Sequence, residues 1–236
     1  MKIVVSVASR DQNRLNGFLE NLSQCRFTNN AQAMVLITGG DVRIDRKGWK
    51  AFIASKTISD VKRHYAAVIY EKFQMVKAIM QEDDIWIATD DDYQWNPHVM
   101  PFVERVMGDN PNVDYLCLLR GPGVTNIEQV ALCGVPFFRH SSMMGGSVIA
   151  RWKNFMPMMD GFFEEYGLEG MWDTDYWAYL QRKTGETHHI YTLVYFSLMQ
   201  QCNLGSHYQK SMGEHMYAEN FDGRMNPFDW IRRAGL

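Results

Sequence analysis

Apolar and polar positions change period repeatedly over the first 120 residues of the chain. Lys2 to Ala8 is a β-branched run that predicts a buried strand, and Asp11 to Gln24 carries Leu15, Phe18, Leu19 and Leu22 at helical spacing. Ala33 to Thr38 is strand-like again and closes on Gly39-Gly40-Asp41. Ser59-Asp60 can cap a helix reaching Met80, with Val61, Tyr65, Ile69, Phe73 and Val76 as its apolar positions. Ile85 to Ala88 predicts a short strand that runs into Thr89-Asp90-Asp91-Asp92. A helix follows from Pro97, a residue suited to a first helical position, to Met107, and Val113 to Leu119 is the next strand. This alternation implies an α/β fold with a mostly parallel sheet and helices on both faces.

The second half has a different pattern. Val130 to Phe138 is read as one strand, and Gly145 to Ala150 leads into a helical stretch that starts at Arg151. A helix bearing Trp172, Tyr176, Tyr179 and Leu180 runs to Lys183 and stops at Gly185. Ile190 to Met199 predicts a last strand, followed by a mixed tail from Ser206. No linker, repeat or low-complexity stretch divides the chain, so its two halves are expected to share one core.

Composition narrows the class. The 236 residues are 46% apolar and include seven Trp, eleven Tyr and thirteen Phe, enough apolar mass to exclude disorder. No apolar run is long enough for a secretory signal or a membrane span, so a cytoplasmic protein is expected. A net charge of −3 gives no global basic footprint for nucleic acid or anionic lipid. Cys25, Cys117, Cys133 and Cys202 form no CxxC pair and read as reduced thiols, not as a disulfide framework or zinc site.

The chemistry concentrates at Asp90-Asp91-Asp92. In open α/β sheets ligands bind beyond the carboxyl ends of the strands. Three carboxylates there repel one another unless a cation or donor network faces them, and hard oxygen ligands suit Mg²⁺ or Mn²⁺ alongside phosphates. The competing reading is a solvated turn that caps the helix after Pro97. The upstream Glu82-Asp83-Asp84 precedes the strand and is read as a solvated turn. Gly145-Gly146 lets backbone amides approach a sugar or phosphate, or simply makes a tight turn.

An apolar strand, Asp90-x-Asp92, a helix, Gly145-Gly146-Ser147, Trp172-Asp173-Thr174-Asp175 and Gly185 stand in an order that resembles the GT-A fold glycosyltransferases of the inverting, family-2-like kind. The resemblance runs from Lys2 to His207. It implies a GT-A, Rossmann-like single domain that transfers a sugar from a nucleotide diphosphate donor, with Mn²⁺ or Mg²⁺ holding the diphosphate. Residues 1–120 would form the nucleotide-sugar half, 121–210 the acceptor and catalytic half, and 211–236 a tail that could serve as a lid.

By the same resemblance Asp90 faces the ribose and joins Asp92 as a metal ligand, and Asp91 belongs to the nucleotide site. Asp173 is the candidate general base, with Asp175 supporting it or orienting the acceptor. Trp172 stands where the family has Glu, and either aspartate could instead be a helix cap. His207 is the late third metal ligand by order, with His188, His189 and His215 as competitors. The loops after the first two strands, with Ala8, Ser9, Arg10 and Asp41, would hold the nucleotide, Asp41 suiting uracil of a UDP donor. Arg10 or Arg63 could balance the diphosphate charge.

Two alternatives remain open: a nucleotidyltransferase-like enzyme, and a non-catalytic nucleotide- or sugar-binding module. The acceptor is a hydroxyl of a glycan, a protein or a modified DNA base. The last would suit a phage-type enzyme in host cytoplasm and would need a basic rim, for which Arg139, Arg151, Lys153, Arg182 and Lys183 are candidates.

Overall fold

The computed structural model describes residues 1–9, 11–25, 31–33, 65–119, 128–140, 147–169, 175–186, 190–195, 197–201, 221 and 223–233. The chain begins with β1 (Ile3–Ala8), α1 (Gln12–Gln24), β2 (Ala31–Ala33), α2 (Tyr65–Lys77), β3 (Ile85–Asp90), β4 (Tyr93–Trp95), α3 (Val99–Asp109) and β5 (Tyr115–Cys117). It continues with β6 (Glu128–Leu132), β7 (Val135–His140), β8 (Val148–Arg151), α4 (Trp152–Tyr166), α5 (Asp175–Thr184), β9 (Ile190–Leu193) and β10 (Met199–Gln201). Pro227–Arg233 forms a final helix, α6.

Eight strands form one sheet in the order β2-β1-β3-β8-β5-β9-β7-β6, and β10 pairs with β4 in a separate ribbon. In the large sheet all strands run the same way except β8 and β7, which are antiparallel to their neighbours. The expected helices on both faces follow from alternation in the strands. Ile3, Val5, Val7, Ile85 and Ile87 meet Leu15, Phe18 and Leu22 of α1 and Phe102, Val103 and Val106 of α3. Val4, Trp86 and Ala88 point the other way, onto Ile69, Phe73 and Val76 of α2, Phe155 and Phe162 of α4 and Tyr176 of α5. Each such Val, Leu, Ile or Phe side chain gains about 1.5–3 kcal/mol on burial. Ser6 is the polar interruption in β1, and it accepts a hydrogen bond from the Trp86 indole at 2.8 Å, so its burial costs little.

Several elements differ from the sequence expectation. Val130 to Phe138 is not one strand but a hairpin: Leu132 pairs with Val135 across Cys133 and Gly134, whose φ values are 52° and 77°. Two positive φ values are what a two-residue hairpin turn demands, and Cys in place of Asn or Asp hides that signal. Val148–Arg151 forms β8, which inserts antiparallel between β3 and β5, so the helix expected from Arg151 starts at Trp152. The expected strand Ile190 to Met199 divides: β9 stays in the large sheet and β10 crosses to β4. Helix α3 starts at Val99, after Pro97, and Gly185 does end the α5 segment at φ 72°.

Asp84 is not solvated. It is 2% exposed and accepts from the backbone N–H of Lys2 at 2.7 Å and of Gln81 at 2.9 Å. Cys25 and Cys117 are buried free thiols pushed by burial to about 12 and about 11, as expected of inert reduced cysteines. Among the described residues no helix is long and apolar enough to cross a membrane. In the tail, Phe228 packs on Phe102 with ring centroids 5.9 Å apart, and the Met225 carbonyl accepts from Asn96 at 2.8 Å. The expected lid falls mostly on residues outside those described.

Candidate active site

The carboxyl edge of β1 and β3 collects the chemistry. Parallel register sets Ala8 beside Asp90, so Ser9 emerges next to the turn that carries Asp91 and Asp92. The Ser9 hydroxyl donates to Asp91 in a short hydrogen bond. Asp11 caps α1 by accepting from the backbone N–H groups of Asn13 at 2.8 Å and Arg14 at 3.0 Å. That cap fixes the first turn of α1 and aims Arg14 at the triad, its Nη2 lying 2.6 Å from Asp91 and 3.4 Å from Asp92.

The opposite face of the sheet supplies a second cation. Lys72 of α2 is fully buried; its Nζ donates to the Thr89 carbonyl at 2.7 Å and to Asp90 at 3.1 Å. Among the described residues the three carboxylates thus meet a cation from each helical layer. Asp91 and Asp92 are buried, while the Asp90 side chain keeps 23% of its surface open. Burial raises the Asp91 carboxyl above its ordinary value, outweighing the Ser9 hydrogen bond and the Arg14 charge that favour ionisation; the neighbouring Asp90 adds to the rise.

The same edge gathers other segments. Asn21 of α1 accepts from the Trp95 N–H at 2.7 Å and donates to its carbonyl at 3.1 Å, which holds β4 and hence the turn before it. The β4–β10 ribbon sets Gln201 opposite Tyr93, the residue after Asp92. Ser147, which leads into β8, donates to the Met199 sulfur at 3.7 Å, and the Leu198 N–H donates to the Leu118 carbonyl at 2.8 Å.

Of the residues singled out in sequence, Ala8, Ser9, Asp90, Asp91 and Asp92 come together here. Asp175 opens α5, which packs on α4. Arg10, Asp41, Arg63, Gly145, Gly146, Asp173 and His207 lie outside the described residues. Of the basic-rim candidates, Lys153 is exposed and the others are buried or paired. Arg151 is buried and donates to the carbonyls of Met107, Asn110 and Val113; Arg139 pairs with Glu128, and Arg182 and Lys183 share Glu165.

Arg14 and Lys72 are the residues that sequence reading missed. Both carried a signal. Lys72 interrupts the buried stripe of α2 between Ile69 and Val76, and Arg14 puts a positive charge in a helix's first turn, against the helix dipole.

The donor set suits a hard divalent cation. Its three carboxylates offer hard oxygen donors, and the Asp90 side chain is 23% exposed. Among the described residues no group of three or more His, Cys, Asp or Glu side chains is placed to hold a metal ion. An open set of one or two carboxylates is what Mg²⁺ or Mn²⁺ takes when phosphates and water complete the shell.

Neither a protein-family model nor a curated protein sequence matches the chain. Solved structures do. The mannosyltransferase PcManGT from Pyrobaculum calidifontis, in complex with GDP-Man and Mn²⁺, aligns with a TM-score of 0.50 at 10% identity over 82% of this chain and 57% of its own. S. aureus TarS 1–349 in complex with UDP-GlcNAc aligns with a TM-score of 0.57 at 12% identity over 89% of this chain and 61% of its own. TarS in complex with UDP gives 0.54 at 13% identity, covering 84% and 60%. The chain thus spans about three fifths of the length of these structures and has their fold, that of the GT-A glycosyltransferases.

Proposed function

We propose that this chain is a metal-dependent glycosyltransferase that moves a sugar from a nucleoside diphosphate donor, a UDP-sugar, to a hydroxyl acceptor with inversion. One observation carries the reading. A triad of aspartates, held by Ser9, Arg14 and Lys72, stands at the carboxyl end of β3 in a fold whose solved examples include GDP-Man and UDP-GlcNAc complexes. That edge is where open α/β sheets take ligands.

Within this reading Ser9 and Asp90 meet the ribose and Asp41 the uracil. Arg10 and Arg63 balance the diphosphate, and the Gly145-Gly146 amides approach the sugar. Asp92, with Asp90, holds Mn²⁺ or Mg²⁺. His207 is assigned as the third ligand on its order in the chain. When bound, the cation neutralises charge growing on the leaving diphosphate. Asp173 takes the proton of the attacking hydroxyl, and Asp175 at the start of α5 orients the acceptor. Asp173→Asn keeps size but removes the base. It should leave UDP affinity unchanged while cutting turnover by about 10²- to 10⁴-fold, and full turnover would remove Asp173 from this role.

A thermal-shift panel of UDP, GDP, CDP and ADP with Mn²⁺ tests the donor assignment. Ligand at a hundred times its Kd adds about 2.7 kcal/mol to stability, a readily measured rise in Tm. UDP should give the largest shift. A larger shift with GDP would replace the nucleotide, and no shift with any of the four would refute the reading.

A further inference from the structure

We infer that Lys72 is a positioning residue of the donor site, acting through Asp90, and that its charge is there for ligand binding and not for the fold. The inference rests on the reading of the triad as the donor site.

Lys72 projects from a helix face that is otherwise apolar, between Ile69 and Val76, into the α2–sheet interface. Taking an ammonium out of water is expensive, and a hydrophobic side chain of similar length in its place is often neutral or stabilising. Methionine would suit this slot on packing grounds. What lysine adds is directional. The ammonium donates both to the Thr89 carbonyl and to Asp90, the last two residues of β3, and so ties the carboxylate to the backbone that delivers it. The Asp90 side chain stays 23% exposed, so its charge is not fully desolvated. The bond from Lys72 sets the orientation of Asp90 before any ligand arrives. Such preorganisation lowers the ordering cost of binding.

The stability argument and the geometry together make an unequal prediction. Lys72→Met leaves Asp90 partly exposed to water instead of stranding a fully buried charge, so the fold should hold while binding suffers.

The test is a double-mutant cycle on UDP affinity, measured by calorimetry with Mn²⁺, using wild type, Lys72→Met, Asp90→Asn and the double variant. Lys72→Met should keep the wild-type Tm within a few degrees and weaken UDP by about 10- to 100-fold, the usual cost of removing a group that orients a ligand-binding carboxylate. In the Asp90→Asn background the same substitution should change affinity by less than about 2-fold, because the residue through which Lys72 acts is gone. A purely structural lysine would give the same loss in both backgrounds. That result, or unchanged UDP affinity in Lys72→Met, overturns the inference while leaving the functional reading intact. A wild-type chain that binds none of the nucleoside diphosphates overturns both.

Discussion

Strand β3 is flanked by two acidic trios, Glu82-Asp83-Asp84 before it and Asp90-Asp91-Asp92 after it, and the two have opposite fates. At the amino end one carboxylate turns inward. Asp84 accepts from two backbone N–H groups and an ion pair with Lys2 at 3.6 Å, while Glu82 and Asp83 go to solvent. At the carboxyl end all three side chains are wholly or largely buried, and among the described residues their partners include side-chain charge from two different helices and the Ser9 hydroxyl. Backbone N–H groups cannot leave, so Asp84 is a lock. Arg14 and Lys72 hold carboxylates by long side chains beside an open edge, an arrangement that can accommodate a ligand. Composition alone does not separate a structural acid from a site acid; the kind of partner does.

Breaking each trio in turn should separate these roles. Asp92→Ala should have the largest effect on binding, weakening Mn²⁺-dependent UDP affinity by more than the roughly 10- to 100-fold that loss of an orienting partner costs. Its Tm should move by less than about 4 °C, since Arg14 retains Asp91. Calorimetry showing wild-type UDP affinity would take the metal role away from Asp92.

Asp84→Ala should do the reverse. Losing the acceptor for the Lys2 and Gln81 N–H groups should cost about 1–3 kcal/mol in urea unfolding, with UDP affinity of the folded protein unchanged. A loss of affinity without a loss of stability would mean that the two ends of β3 are not separable.

Asp91→Asn should be the mildest and is read by pH. Its folded-state carboxyl is raised above the ordinary 3.8, so between that value and its folded one the native state binds more protons than the unfolded state. Stability from this group is complete below the unfolded value and declines as pH rises through the folded one. Asn cannot titrate, so the fall in stability as pH rises above the ordinary carboxylate value should flatten in the variant. An unaltered slope would show that Asp91 is not what the ligand-free protein strains against.

The parts of the molecule legible in advance were those governed by local period. The β1 run, the α1 stripe after Asp11, the short β3 and the Gly185 stop each satisfy a rule that acts within a few residues. The triad was legible for the same reason, as three acids at the end of an apolar run. The hairpin turn at Cys133-Gly134, the insertion of β8 and the transfer of β10 to β4 were not, because each depends on which distant strand offers free backbone groups.

The sequence by itself determined that this chain buries a large aromatic and β-branched core in an α/β sheet and ends one central strand in a concentrated negative charge. Tertiary structure alone decided what that charge means. Ser9 and Arg14 lie 82 and 77 positions from Asp91 along the chain, and Lys72 is 18 from Asp90. Parallel register and helix packing bring them within hydrogen-bonding distance, from opposite faces of the sheet, and no local pattern encodes that. Electrostatic partnership is a matter of separation in space and of the water excluded between charges, and both are set only when the layers close.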